Sequence, residues 1–236
     1  MGKKKGIYLL LAAAMLLLLG STIGSTRAAL TYYSENYVAE ITVSQIGVSL
    51  LENGEVVSSR DYQKNEWQMT TNQGEGSVSG ALLLDMLEPE EKLALNKEYE
   101  EVLSVRNSGS IDEYVRVIIY RYWEDKDGNR VTDMPPALID LGLSGGGWIE
   151  DASAGTEERT VLYYTGIVPA GQQTPVLSDT LTIKEETAVM LEGHEGIRFV
   201  LEAEVNAVQT HNAEDAIKSA WGVDVSVGTD GSLSLK

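Results

Sequence analysis

The amino-acid sequence predicts an all-β protein: a jelly-roll-like antiparallel sandwich with one short helix near the C-terminus. Three observations carry this. Apolar residues recur mostly with a period of two, turn-forming Asn-Gly and Asp-Gly pairs separate the runs, and only the stretch after Asn212 has helical spacing. The 236 residues suffice for one sizeable domain with its own core.

At the N-terminus, Lys3, Lys4 and Lys5 precede an uncharged run from Ile7 to Leu19, and a polar stretch from Gly20 to Ala28 follows. A bilayer span needs about 20 apolar residues. This run is shorter, and its flanks are those of a secretory signal peptide covering residues 1–28. Thr26-Arg27-Ala28 is a small-x-small site, which places cleavage between Ala28 and Ala29. The alternative is an uncleaved signal anchor, the only route by which membrane contact is expected. Cleavage removes Lys3, Lys4, Lys5 and Arg27, leaving 14 basic against 36 acidic residues and a charge of −22 in place of −18. Such a surface repels nucleic-acid phosphates and anionic headgroups, so nucleic acid is not an expected partner. Copies of the chain also repel one another at low salt. The absence of cysteine excludes disulfides, thiolate metal sites and cysteine nucleophiles.

Along the exported chain, Ile41 and Val43 share one strand face, whereas Ile46, Val48 and Leu50 share the other. The phase slips near Gln45, which predicts a β-bulge or a change of packing partner there. This divides an N-terminal strand (29–44) from a sandwich domain (45–236). Asn53-Gly54 predicts a type I′ hairpin turn. Residues 58–80 are polar and read as a long loop with room for one short strand; Ala81 to Leu87 is an apolar run. Tyr99 to Val105 alternates and stops at Asn107-Ser108-Gly109-Ser110. Tyr114 to Trp123 is apolar on both phases, the mark of a central strand covered on both sides. Asp127-Gly128 closes a short hairpin, residues 133–158 read as a long excursion of loop, and Val161 to Val168 is a strand ending at Pro169-Ala170-Gly171. Leu181 and Ile183 mark another strand, and Ile197 to Val205 is the cleanest half-buried one. Asn212 is placed to cap a helix with Ala213, Ala216, Ile217, Ala220 and Trp221 on one face, and Gly222 to end it. A last hairpin turns at Asp230-Gly231.

Catalytic signals are few. His194 sits in Glu192-Gly193-His194-Glu195-Gly196, but the His-Glu-x-x-His spacing of a zinc helix fails because residue 198 is arginine. His211 adjoins the helix entry. No Gly-x-Ser-x-Gly elbow occurs. Asp125-Lys126-Asp127-Gly128-Asn129 departs from a calcium loop, which needs glycine and glutamate where Arg130 and Pro136 stand. No cofactor is expected; the acidic surface leaves room for weak calcium binding, and whether there is a defined calcium site stays open. Trp148, beside three glycines, is an alternative binding loop if its ring is exposed and a loop anchor if it is buried.

Several segments resemble one family. The junction Gly24 to Leu30 is similar to that of exported proteins processed by the SipW type of signal peptidase. The blocks Val105–Val117 and Tyr163–Thr174, and the tail Glu204–Thr210 followed by Ala220–Val223, resemble the TasA/camelysin family of Gram-positive bacteria. The resemblance implies a jelly-roll domain, secretion to the cell surface, and head-to-tail self-assembly into biofilm matrix fibres, in which the N-terminal segment of one subunit adds as a strand to the next. No motif here supports carrying over the metalloprotease label of camelysin. The expected function is thus a secreted, extracellular or cell-surface, non-enzymatic structural protein. Leu30, Tyr32, Tyr37, Ile41 and Val43 are the candidate donor residues, since an extended apolar segment can pair with an open sheet edge. That the same segment is the first strand of its own sheet stays open, as does a monomeric β-sandwich module that binds a glycan or protein partner.

Overall fold

Asn53 and Gly54 both take positive φ, 50° and 91°, the backbone that a two-residue type I′ turn requires. They join β1 (Gly47–Glu52) to β2 (Glu55–Gln63) as expected. Lys64 and Asn65 repeat that geometry at 53° and 64° and return the chain as β3 (Glu66–Thr71). This computed structural model describes residues 45–74, 77–83, 93–143 and 145–236. The segment expected to be a signal peptide (1–28), the expected Ala28/Ala29 junction and the candidate donor residues Leu30, Tyr32, Tyr37, Ile41 and Val43 lie outside the described residues.

The remaining strands are β4 (Gly80–Ala81), β5 (Glu98–Asn107), β6 (Glu113–Glu124), β7 (Ile139–Leu143), β8 (Trp148–Glu150), β9 (Arg159–Tyr164), β10 (Ser178–Ile183), β11 (Arg198–Gln209), β12 (Val225–Val227) and β13 (Leu233–Leu235). Two short helices, α1 (Thr187–Met190) and α2 (Ala213–Trp221), lie toward the C-terminus, one more than the periodicity predicts. Four residues are too few to carry a helical period, which is why α1 has no sequence signal. The strands form two antiparallel sheets, ordered β3-β2-β1-β5-β10-β7 and β4-β11-β6-β9-β8, with β12 and β13 as a separate hairpin. The fold is therefore the antiparallel sandwich that the sequence predicts.

The core between the sheets is built from alternate residues, among them Val48 and Leu50 of β1, Leu103 and Val105 of β5, Val117 and Ile119 of β6, and Leu201 and Val205 of β11. Each such side chain contributes about 1.5–3 kcal/mol through burial. A second core lies on the opposite face of the five-stranded sheet. There Tyr114, Ile118, Tyr163 and Val208 meet Ala213 and Ile217 of α2 and Val225 and Leu233 of the last hairpin. Strand β6 is thus apolar on both phases because it faces two cores. The Tyr114 hydroxyl donates to the carbonyl of Gly231 at 2.8 Å, tying the last turn to β6.

Three expectations need correction. Residues 58–71 form most of the β2–β3 hairpin rather than a loop: pairing with β1 and the Lys64-Asn65 turn supply what apolar alternation does not. Residues 139–143 and 148–150 are strands, and each extends a different sheet. Strand β1 also pairs irregularly opposite Val57, between the pairs Leu50–Ser58 and Leu51–Val56; the slip expected near Gln45 falls at the border of residues that lie outside the described ones. Asn212 makes no side-chain cap; it occupies the left-handed region at φ 50°, which asparagine tolerates, and its carbonyl accepts the Ala216 N–H at 3.0 Å. Gly222, at φ 75°, ends α2 as expected. Of the Ala81–Leu87 run, only Ala81 is in a strand, and residues 84–87 lie outside the described residues.

Candidate functional site

The chain enters the sandwich at a corner that loop 108–112 clamps. Gln45 donates its N–H to the Ser110 hydroxyl at 2.8 Å and accepts the Ser110 N–H at 2.9 Å. The Gly47 carbonyl accepts the N–H groups of Ser108 and Gly109, and the Gly47 N–H donates to Glu113 Oε1 at 2.8 Å. The Ile46 carbonyl accepts the Tyr62 N–H at 2.8 Å, so the entering chain lies along the end of β2. Gly47 is required here: a Cβ would run into Asp61 Oδ1 and approach the Gly109 nitrogen to 2.9 Å. Asn107, fully buried, organises the loop by donating to the carbonyls of Ile111 and Val168 and accepting the Gly109 N–H.

Among the described residues three carboxyl side chains are buried, Glu101, Glu113 and Asp151, all of which look like ordinary acidic residues in the sequence. Burial pushes Glu113 up to about 8; the Gly47 N–H opposes this and the neighbouring Asp61 adds to it. Glu101, on the core-facing phase of β5, is pushed up to about 9 by burial, with Glu52 nearby adding to it. A glutamate in an alternating strand carries no sequence sign of which phase will be covered.

Beside the entry corner stands the β2–β3 hairpin. Every residue of β3 is exposed except Thr71, which is half-buried. Tyr62 packs edge-on against Trp67 at 5.2 Å, and the Arg60 guanidinium lies 4.8 Å over the Trp67 ring. Arg60 also reaches Glu204 at 3.4 Å and the Asn206 side chain, crossing from β2 to β11. Antiparallel pairs alternate between hydrogen-bonded and open. Since the Asn72 N–H bonds to the Val57 carbonyl, Trp67 and Met69 fall on open pairs and turn their backbone groups away from β2. Trp67 and Met69 are 38% and 47% exposed. Edge strands are commonly guarded by lysine, proline or a bulge. Strand β3 has none of these, and Glu66 is its one charged residue.

The other sequence candidates fall elsewhere. Trp148 is buried in the inter-sheet core; its indole N–H donates to the Pro175 carbonyl at 3.3 Å and its ring lies 5.5 Å from Tyr164. It anchors the loop and presents no surface ring. His194 bridges the Met190 carbonyl at 2.8 Å and Asp133 at 3.1 Å, joining two connections of the fold. The His211 carbonyl accepts from the Gln209 side chain at the entry to α2. Asp125 accepts the N–H groups of Asp127 and Asn129, a hairpin turn. A cavity of about 620 Å³ lies along β11 and Tyr122, but its charged groups are matched: Arg198 pairs with Glu124, and Gln73 and Ser79 donate to Glu202. Comparisons of the chain with family models, curated proteins and solved structures find no match.

Proposed function

We propose that this chain is a secreted, non-enzymatic structural protein of the cell surface or biofilm matrix. In this reading one copy adds its segment 29–44, freed by a signal peptidase of the SipW type, to the β3 edge of the next. The observation that carries it is the open edge itself, an unguarded strand with outward backbone groups at Trp67 and Met69. Trp67 and Met69 are two residues apart and so share a face, which suits them to meet alternate apolar side chains of an incoming strand. Fully extended, residues 29–44 span roughly 50 Å, enough to reach a neighbour. Head-to-tail addition does not close on itself and gives filaments.

Electron microscopy of Ala29–Lys236 beside a form starting at Gln45, both at raised salt, tests this. Filaments are expected from the longer form alone, and more of them as salt or acid offsets the −22 charge deduced for the exported chain. Monomers from both forms, or filaments from both, overturn the role of the N-terminal segment.

A further inference from the structure

We propose that the cavity between the five-stranded sheet and the C-terminal end of α2 binds a carboxylate-bearing sugar, a hexuronate unit of an acidic polysaccharide. The cavity holds about 280 Å³ and is lined by Arg116, Asp151, Ser153, Arg159, Tyr163 and Trp221, among others. That is close to the lower end of ordinary ligand pockets, roughly 300 Å³, and suits a single ring.

The charges are what distinguish it. Acidic residues outnumber basic ones by 36 to 18, yet this cavity holds two guanidiniums against one carboxylate, that of Asp151. Among the described residues neither Arg116 nor Arg159 makes an ion pair. Strand register sets Asn206 and Tyr163, not acids, beside Arg116, and Tyr120 beside Arg159. Arg159 donates through Nε and Nη2 to the Ala154 carbonyl, at 3.1 and 2.6 Å, which leaves Nη1. Arg116 is held 5.1 Å over the Trp221 ring, and its Nε is buried without a hydrogen-bond partner. A carboxylate between two such forks gains charge-assisted hydrogen bonds.

The rest of the lining fits a sugar better than a bare anion. Asp151 is 7% exposed, and its Oδ1 is fully engaged by the Ser153 N–H, the Ser153 hydroxyl and the Ala154 N–H. Its Oδ2 makes no hydrogen bond among the described residues and remains an acceptor for a sugar hydroxyl. Trp221, tilted 46° to Tyr163 at 5.5 Å, adds an aromatic wall, and Ile118, Val161 and Val223 add apolar surface for C–H groups. The larger cavity along β11 lacks this unspent charge.

An amide NMR titration of the exported chain with glucuronate, glucose and N-acetylglutamate tests the proposal. Glucuronate is expected to shift Ser153, Ala154, Val223 and the Trp221 indole, with at least about tenfold weaker binding for either other compound and for the Arg159→Gln variant. Equal shifts with N-acetylglutamate would assign the pocket to a peptide carboxylate and overturn the sugar; equal shifts with glucose would remove the role of the arginines. No shift at these residues sinks the proposal outright. The mapping uses the unaltered protein, so the assignment of the cavity does not depend on the variant folding.

Discussion

The β6–β11 pair and the β2–β3 pair are both antiparallel, yet they are held by different physics. Strands β6 and β11 match over their full lengths, Glu113–Glu124 against Arg198–Gln209, and β6 is covered by a core on each face. Strands β2 and β3 are joined by a two-residue turn and one aromatic pair, and β3 covers almost nothing. The first pair is held by burial. The second rests on turn chemistry and on backbone pairing of β2 to β1, and among the described residues nothing pairs with its outer edge. A sheet edge that contributes little to the core can be altered at small cost to stability, so the proposed strand acceptor can be tested there separately from folding.

The largest expected effect is on the buried pair. Ile119→Ala removes core volume at a residue only 2% exposed and is expected to cost about 2–5 kcal/mol, read from the denaturant midpoint. A loss below about 1 kcal/mol would show that the inter-sheet core is not close-packed around β6.

Next comes the buried carboxyl of β5. Glu101 holds its proton in the folded chain to about pH 9, whereas an ordinary glutamate gives it up near 4.5. The unfolded chain therefore binds fewer protons across that interval, and stability falls as pH rises through it. Glu113 acts in the same direction, up to about pH 8. Glu101→Gln is expected to equal the parent near pH 4 and to exceed it at pH 8, by a gain on the order of 2 kcal/mol. Thermal melts at the two pH values check the sign; a variant that is less stable at pH 8 contradicts the buried placement.

The smallest effect on stability is expected at the open edge. Trp67→Lys puts a guarding charge on β3 and removes its aromatic contacts; it should cost no more than about 1 kcal/mol by thermal melt. The same variant is expected to abolish filaments. Filaments that persist would move the acceptor to another edge, such as the part of β11 that β4 leaves unpaired.

Much of the architecture was readable from residue order. The alternation of Ile197 to Val205 gave the half-buried phase of β11, the two-phase apolar run from Tyr114 identified β6 as central, and Asn53-Gly54 marked the first turn. Those signals work because apolar spacing and positive φ are local requirements. The hairpin at 58–71 had no such signal, because an exposed strand needs no apolar period. Strands β7 and β8 were masked by the prolines and glycines around them.

What the sequence alone determined about this protein is its secondary-structure class, its acidity and the placement of its best turns, each set by chemistry within a few residues. Only the tertiary structure decided that Glu101 and Glu113 are buried, that Trp148 is an anchor, that Arg116 and Arg159 share one cavity, and that β3 has no second neighbour among the described residues. Those four depend on which strands become neighbours, and pairing between distant segments is decided by the summed burial of the whole sandwich rather than by any one stretch of chain.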